Sequence, residues 1–229
     1  MNEYPKIATE RFDNATFHIK YCLNFIKKYL KGDILEIGAG CGSFTKNYIN
    51  DSFNSISLTE LDNSNFNYLK ERFKKFKKIN LINKTINNLE GNFDTILYLH
   101  VLEHIKEDIK ELKNASLKLK HNGYIIIMAP EHQKMYSNLD KAVGHFRRYE
   151  KEFFEKNLVG LKRKKLISID AIGYSLYFLN KIFFKNEVFP SKLKIFLWDK
   201  IFTPITVVID FLLRYKFGKC IIAVYQKTS

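Results

Sequence analysis

The sequence predicts an α/β protein built on a doubly wound, mostly parallel sheet, and three features carry that expectation. The first is the stretch Ile34-Leu35-Glu36-Ile37-Gly38-Ala39-Gly40-Cys41-Gly42. Its aliphatic first half reads as a buried strand, glycine then recurs at every second position, and a helix-like segment, residues 43–49, follows at once. Strand, glycine turn and helix in that order form the nucleotide-binding end of a Rossmann-like sheet, because a missing Cβ lets the backbone turn tightly and approach a ligand closely. The second is a further series of apolar strands separated by amphipathic patterns, the alternation that produces a parallel sheet covered on both faces. The third is Glu60, which ends the second strand 18 residues after Gly42, where a carboxylate can accept both hydroxyls of a ribose.

The elements follow in order. Residues 15–30 place Phe17, Tyr21, Phe25 and Tyr29 at helical spacing, beside Leu23, Ile26 and Leu30, and lead into the first strand. Residues 55–60 read as the second strand. A helix follows with Phe66, Leu69, Phe73 and Phe76 on one face; the lysines on the other read as a solvated surface. Residues 79–83 form a short third strand and 93–99 a fourth. A helix over 108–119 turns Ile109, Leu112 and Leu119 inward and ends at Asn122-Gly123, as helix C-termini prefer. Tyr124 to Met128 is a fifth strand stopped by Pro130. Residues 131–149 are polar and aromatic without a clear period, 150–158 look helical, 165–170 strand-like, and Cys220 to Tyr225 a last strand. The expectation is a seven-stranded sheet with a helical lid inserted before the last strand. It is a single domain over 1–229: an N-terminal helical region 1–32, a cofactor-binding core 33–130, a substrate-side loop, helix and strand 131–170, a helical insertion 171–217 and the final strand 218–229.

Bulk properties bound the function. With 229 residues, 46% of them hydrophobic, the chain can bury a substantial core. A net charge of +14 attracts nucleic acid, anionic membrane or phosphorylated substrates. Cys22, Cys41 and Cys220 are an odd and scattered set, which fits neither a disulfide framework nor a zinc spacing and suits a reducing cytoplasm. No metal site is marked. The start, Met1-Asn2-Glu3-Tyr4-Pro5, has no apolar signal core, and no uncharged run reaches the roughly 18 residues of a spanning helix. The glycine spacing G-x-G-x-G departs from the dinucleotide fingerprint, whose third glycine would fall on Ser43. No P-loop lysine follows it, which disfavours ATP or GTP.

The glycine stretch resembles the first motif of class I S-adenosylmethionine-dependent methyltransferases. Two further segments resemble the same family in order and spacing. Phe93-Asp94-Thr95-Ile96 with His100-Val101-Leu102-Glu103-His104-Ile105 is similar to its fourth motif, and Leu119-Lys120-His121-Asn122-Gly123-Tyr124 followed by Ala129-Pro130 to its L-k-p-G-G … P pattern. The resemblance covers roughly 33–130. It implies S-adenosyl-L-methionine as cofactor, held by Glu36, Gly38, Ala39, Gly40, Glu60, Leu61, Thr85, Ile86, His100 and Val101. Glu36 has a second reading as a buried acid stapling the loop. Many relatives place an aspartate for the adenine in the loop after the third strand, where this chain has Thr85 and Asn87. His104 is left open between a helix-start histidine and a ligand.

Beyond the fifth strand, Gly144-His145-Phe146-Arg147-Arg148-Tyr149 resembles the G-H-x-R-R-Y string of a bacterial subgroup often linked to surface-glycan synthesis. This stretch falls at the carboxyl end of the sheet, where ligands bind. Tyr136, Arg147, Arg148 and Tyr149 are the candidate substrate-binding residues, since guanidinium forks suit anionic or sugar groups; the alternative is that both arginines pin the loop through internal acids. His145 and His132 are candidate general bases for a hydroxyl acceptor. The segment 171–217 is rich in aromatic and aliphatic residues punctuated by lysines, interrupted by Asp199 and Asp210 and kinked by Pro204. It reads as a lid, a homodimer interface or an element lying on the inner face of the membrane. The expected function is methyl transfer to a small-molecule acceptor, a sugar or lipid-linked cell-envelope metabolite. The alternatives are an RNA methyltransferase, which the charge favours although Leu99-His100-Val101-Leu102 stands where an N-P-P-Y motif would, a non-catalytic interaction protein, and an NAD enzyme.

Overall fold

The structure, a computed structural model, describes residues 13–183 and 191–228. The N-terminal pentapeptide, and Phe184 and Lys185 of the insertion, lie outside the described residues. The elements are α1 (Thr16–Ile26), β1 (Asp33–Ile37), α2 (Thr45–Tyr48), β2 (Ser55–Thr59), α3 (Asn63–Phe73), β3 (Ile79–Ile82), β4 (Phe93–Leu99), α4 (Asp108–Leu117), β5 (Leu119–Pro130), α5 (Asn138–Ala142), α6 (Lys151–Asn157), β6 (Leu161–Ile169), α7 (Ala171–Phe183), α8 (Lys192–Leu197), α9 (Thr203–Leu212) and β7 (Cys220–Lys227).

The strands form one seven-stranded sheet in the order β3-β2-β1-β4-β5-β7-β6. The first five run parallel, while β7 runs antiparallel to both β5 and β6. The chain order reverses between β1 and β4, and that switch point opens the crevice in which α/β sheets bind ligands. Successive residues of each strand face opposite ways, so the sheet separates two cores. Ile34, Leu58, Leu97 and Ile126 pack with Cys22 and Ile26 of α1 and with Leu69 and Phe73 of α3. Leu35, Ile96, Ile125 and Ile127 pack with Leu112 of α4 and Phe154 of α6.

Several expected boundaries move. The helix after the glycine turn is only one turn long, Thr45–Tyr48. The helix expected to end at Asn122-Gly123 stops at Leu117, and both residues lie inside β5, in a detour that offsets the β4–β5 register between Phe93 and Thr95. Asn122 takes a φ of 60° there, a conformation open to asparagine in strand bulges as in helix caps, so the dipeptide alone does not tell the two apart. Ile109 faces solvent, 55% exposed, while Leu112 is fully buried. Phe17 and Phe76, expected inward, are also exposed. The stretch 131–149 contains a tight turn at Gln133–Met135 and the short α5, whose N-terminus carries a Ser137–Asp140 capping box.

The insertion is helical, with α8 and α9 joined by a π-helical turn, Trp198–Phe202. Pro204 sits in the first turn of α9, where its missing N–H costs no hydrogen bond. The two acids that interrupt the apolar run are fastenings. Asp199 accepts the backbone N–H of His18 at 2.9 Å, capping the start of α1. Asp210 accepts the Tyr21 hydroxyl at 2.8 Å and the N–H groups of Asp170 and Ala171 at 2.7 and 2.9 Å. Among the described residues no helix is long and apolar enough to cross a membrane.

Candidate active site

A cleft of about 2010 Å³ opens along the carboxyl ends of the parallel strands, roughly twice what one drug-sized ligand occupies. Gly38, Gly40 and Gly42 all take positive φ, 62°, 57° and 75°. A Cβ on Gly38 would stand 2.8 Å from Val101, and one on Gly42 would stand 2.5 Å from Phe73. The backbone at these points is therefore restricted to glycine by both torsion and space. The Gly38 N–H is held by Thr59 Oγ1 at 3.1 Å, and the Gly40 N–H donates to Glu60 Oε2 at 2.8 Å. Glu60 Oε1 accepts from Asp62 N–H at 2.8 Å.

Glu36 is almost wholly buried; its Oε2 accepts the hydroxyls of Thr45 at 2.7 Å and Tyr48 at 2.6 Å. Burial pushes its carboxyl up to about 7, against the opposing pull of the Tyr48 and Thr45 hydrogen bonds. The acid therefore staples the glycine loop to α2, the second of the two roles open to it, while also lining the cleft. Gly38, Ala39, Gly40, Glu60, Leu61, Thr85, Ile86, His100 and Val101 line the same cleft.

Residues of α5 and of the loop after it give the cleft a polar stretch of lining. His145 Nδ1 donates to Asp140 Oδ1 at 2.8 Å, and Arg148 forks onto the same carboxylate through Nε at 2.9 Å and Nη2 at 3.0 Å. Burial alone would raise the Asp140 carboxyl, but the hydrogen bonds from His145 and Arg148 outweigh it and hold the group well below the usual carboxylate range. The Tyr136 hydroxyl donates to the His145 carbonyl at 2.6 Å. Tyr136, His145 and Arg148 line the cleft.

Three expected residues stand elsewhere. Arg147 is held by Asp108 at 2.8 Å and by the Lys106 carbonyl at 2.9 Å. Tyr149 is buried, its hydroxyl donating to Asp108 at 2.9 Å. His132 pairs through Nε2 with the Gly218 carbonyl at 3.0 Å and faces Glu150. None of the three lines the cleft. The two arginines of the loop are thus tied to internal acids, because a buried carboxylate such as Asp108 or Asp140 needs a fixed cation beside it. Residues not singled out from the sequence also reach the site. Glu103 and Asp140 line its polar end, and Leu197, Trp198 and Phe202 of the insertion form part of its wall. Glu103 and Asp140 stood inside quoted motifs, and the insertion residues lie in the segment expected as a lid, although which of them reach the cleft depends on how the insertion folds back.

The sheet order and a glycine cradle at the switch point define a Rossmann-like fold of the class I methyltransferase type. The comparisons with known proteins agree. Residues 35–125, less than half of the chain, match the family described as methyltransferase domain. Among curated proteins, a hybrid PKS-NRPS synthetase of Talaromyces variabilis is 31% identical over 137 residues, covering 55% of this chain and 3% of its own length. The chain thus spans a small fraction of such relatives. Among solved structures, the N-methyltransferase NodS of Bradyrhizobium japonicum, in complex with S-adenosyl-L-homocysteine, superposes with a TM-score of 0.64 at 14% identity, over 100% of this chain and 94% of that one. An S-adenosylmethionine-dependent methyltransferase of Clostridium acetobutylicum gives 0.57 at 16% identity, over 95% and 92%.

The residues present fit S-adenosyl-L-methionine. The cofactor carries cationic centres and a ribose, and the cleft offers the Glu60 carboxylate beside a loop whose glycine torsions bring backbone to its wall. Each Glu60 oxygen keeps a lone pair after its backbone hydrogen bond.

Proposed function

We propose that the chain transfers a methyl group from S-adenosyl-L-methionine to a hydroxyl of a small-molecule acceptor, a sugar or a lipid-linked metabolite of the cell envelope. One observation carries this reading: the glycine cradle with Glu60, and the His145–Asp140 pair, line a single cleft large enough for two ligands. When bound, the sulfonium cofactor supplies a methyl group activated for in-line displacement. The protein's part is alignment, exclusion of water and proton handling. Gly38, Ala39 and Gly40 bring backbone close to the amino-acid end, Glu60 accepts the ribose hydroxyls, and Leu61, Thr85 and Ile86 flank the adenine. His145, fixed by Asp140 at Nδ1, turns Nε2 toward the acceptor side and receives the acceptor's proton. Trp198 and Phe202 close the cleft from the insertion.

The acceptor class draws support from two features. The G-H-x-R-R-Y string resembles glycan-linked relatives. The insertion also carries an exposed apolar side, with Leu193, Phe196, Ile205, Val208 and Phe211 open to solvent beside basic residues, which suits a lipid-linked acceptor. The test is production of S-adenosyl-L-homocysteine from S-adenosylmethionine in the presence of nucleotide sugars and polyprenyl-linked glycans. Acceptor-dependent turnover that drops by about 10²-fold or more in His145→Ala, with cofactor affinity retained, is expected. Turnover unchanged in that variant would remove the assigned role of His145.

A further inference from the structure

Glu103 is only 1% exposed, and its Oε2 has no hydrogen-bond partner. Its other oxygen faces two imidazole nitrogens, His100 Nδ1 at 3.6 Å and His145 Nε2 at 3.9 Å. Both separations exceed hydrogen-bond length. The carboxylate is surrounded by imidazoles, but one of its buried oxygens has no donor, an arrangement that invites a further ligand. His104 lies against the same group, its ring edge-to-face with His145 at 4.6 Å. One ligand atom from each of Glu103, His104 and His145 lies within 4.8 Å of the other two. The ligands of a tetrahedral zinc, bonded at about 2.0–2.1 Å, stand roughly 3.3 Å apart. Small side-chain rotations would close the set.

We infer that Glu103, His104 and His145 form a binding site for a divalent transition-metal ion at the acceptor end of the cleft. The orientation of the two histidines supports it. His145 Nδ1 is occupied by Asp140 at 2.8 Å, which leaves Nε2 to face Glu103. His104 makes a backbone hydrogen bond with Gly144. Metal-ligating histidines are oriented in this way by a carboxylate or backbone group on the second ring nitrogen. Two imidazoles with one carboxylate favour a transition metal over magnesium or calcium and leave coordination positions open to a substrate. A second trio, Glu131, His132 and Glu150, is a weaker candidate, because His132 Nε2 is spent on the Gly218 carbonyl and Glu150 is half exposed.

The site deepens the methyl-transfer reading and rests on it for its role. An acceptor hydroxyl bound to the ion is acidified. Its proton leaves to water, its oxygen pair forms the bond to the methyl carbon of the sulfonium donor, and the carbon–sulfur pair remains on sulfur as a thioether. With the ion bound, His145 acts on the acceptor through it; its direct proton-accepting role belongs to the metal-free chain.

The test is a titration of the full chain, stripped of metal by chelator dialysis, with cobalt(II), read by the visible absorption of the bound ion and by calorimetry. One equivalent is expected to bind, at least about 100-fold more weakly in His104→Ala and in His145→Ala, and about 10- to 100-fold more weakly in Asp140→Asn. S-Adenosylmethionine affinity in the same variants reports that the fold persists. No uptake by the unaltered chain, or uptake equally tight in both histidine variants, would overturn the site. Cobalt uptake lost in those variants, with no S-adenosylmethionine affinity in the unaltered chain, would uphold the site and overturn the methyl-transfer reading instead.

Discussion

The Glu60 carboxylate clasps the Gly40 backbone N–H at 2.8 Å. The acid just after β2 thus fixes the loop that follows β1, and its other oxygen holds its own loop through Asp62. The group proposed to receive ribose hydroxyls also fixes the glycine turn, and on that proposal loop shape and cofactor recognition are coupled through one side chain.

Gly38→Ala should lower cofactor affinity at least about tenfold and reduce thermal stability. Its φ of 62° and a Cβ 2.8 Å from Val101 leave no relaxed place for a methyl group, and such strain costs on the order of 1–3 kcal/mol. Adding Val101→Ala should recover only part of the loss, because the torsional strain remains. Calorimetric titration and thermal melts of the single and double variants check this; wild-type affinity in Gly38→Ala would contradict the cradle.

The Glu36 contribution to stability should fall as pH rises from about 4.5 to about 7, the interval between its ordinary and its buried carboxyl, while His18, pushed down to about 4 by burial, acts in the opposite sense over much of the same window. Burial raises this carboxyl, so the folded chain keeps a proton that the unfolded chain releases, and folding is favoured on the acid side of the window. A shift of that size corresponds to about 3 kcal/mol. Glu131, also raised to about 7 by burial, acts in the same window. Glu36→Gln should therefore remove the Glu36 share and shift the slope of urea stability against pH in the positive direction; an unchanged slope would show that Glu36 is ionised in the fold.

Arg148→Ala should cost about 3–5 kcal/mol of stability, because it leaves the buried Asp140 short of its forked cation. Arg148→Lys should not restore it, since an ammonium cannot bridge both oxygens. Chemical denaturation reads both. Near-normal stability of Arg148→Ala together with lost acceptor turnover would instead mean that Arg148 contacts substrate directly.

Asp210→Ala should loosen the insertion. It strands the Tyr21 hydroxyl and two backbone N–H groups, each costing about 1–3 kcal/mol when left buried and unpaired. Faster hydrogen exchange across Ala171–Phe183 and Thr203–Leu212, with the sheet unaffected, is the expected result. Unchanged exchange would show that packing alone holds the insertion.

What the sequence displays and what it conceals divide along physical lines. Strand, glycine turn and terminal acid are local patterns, so Gly38, Gly40 and Glu60 are legible in one dimension. The placement of β7 between β5 and β6 is consistent with its short apolar run but is decided by pairing partners far away in the chain. Arg147 and Arg148 look alike in sequence, yet one meets Asp108 and the other Asp140, because neighbouring side chains leave an extended loop in opposite directions. Asp199 and Asp210 read as breaks in an apolar run, and only the tertiary fold shows them fastening it. Asn122-Gly123 shows how one signal serves two structures, a helix end and a strand detour.

The most direct test of the cofactor site is calorimetric titration of the purified chain with S-adenosylmethionine and, separately, NADH, repeated with Glu60→Ala. Saturable binding of S-adenosylmethionine alone, weakened at least about tenfold in Glu60→Ala by loss of charge-assisted hydrogen bonds, is the predicted result. Binding of NADH alone, or S-adenosylmethionine affinity indifferent to Glu60, would contradict the account.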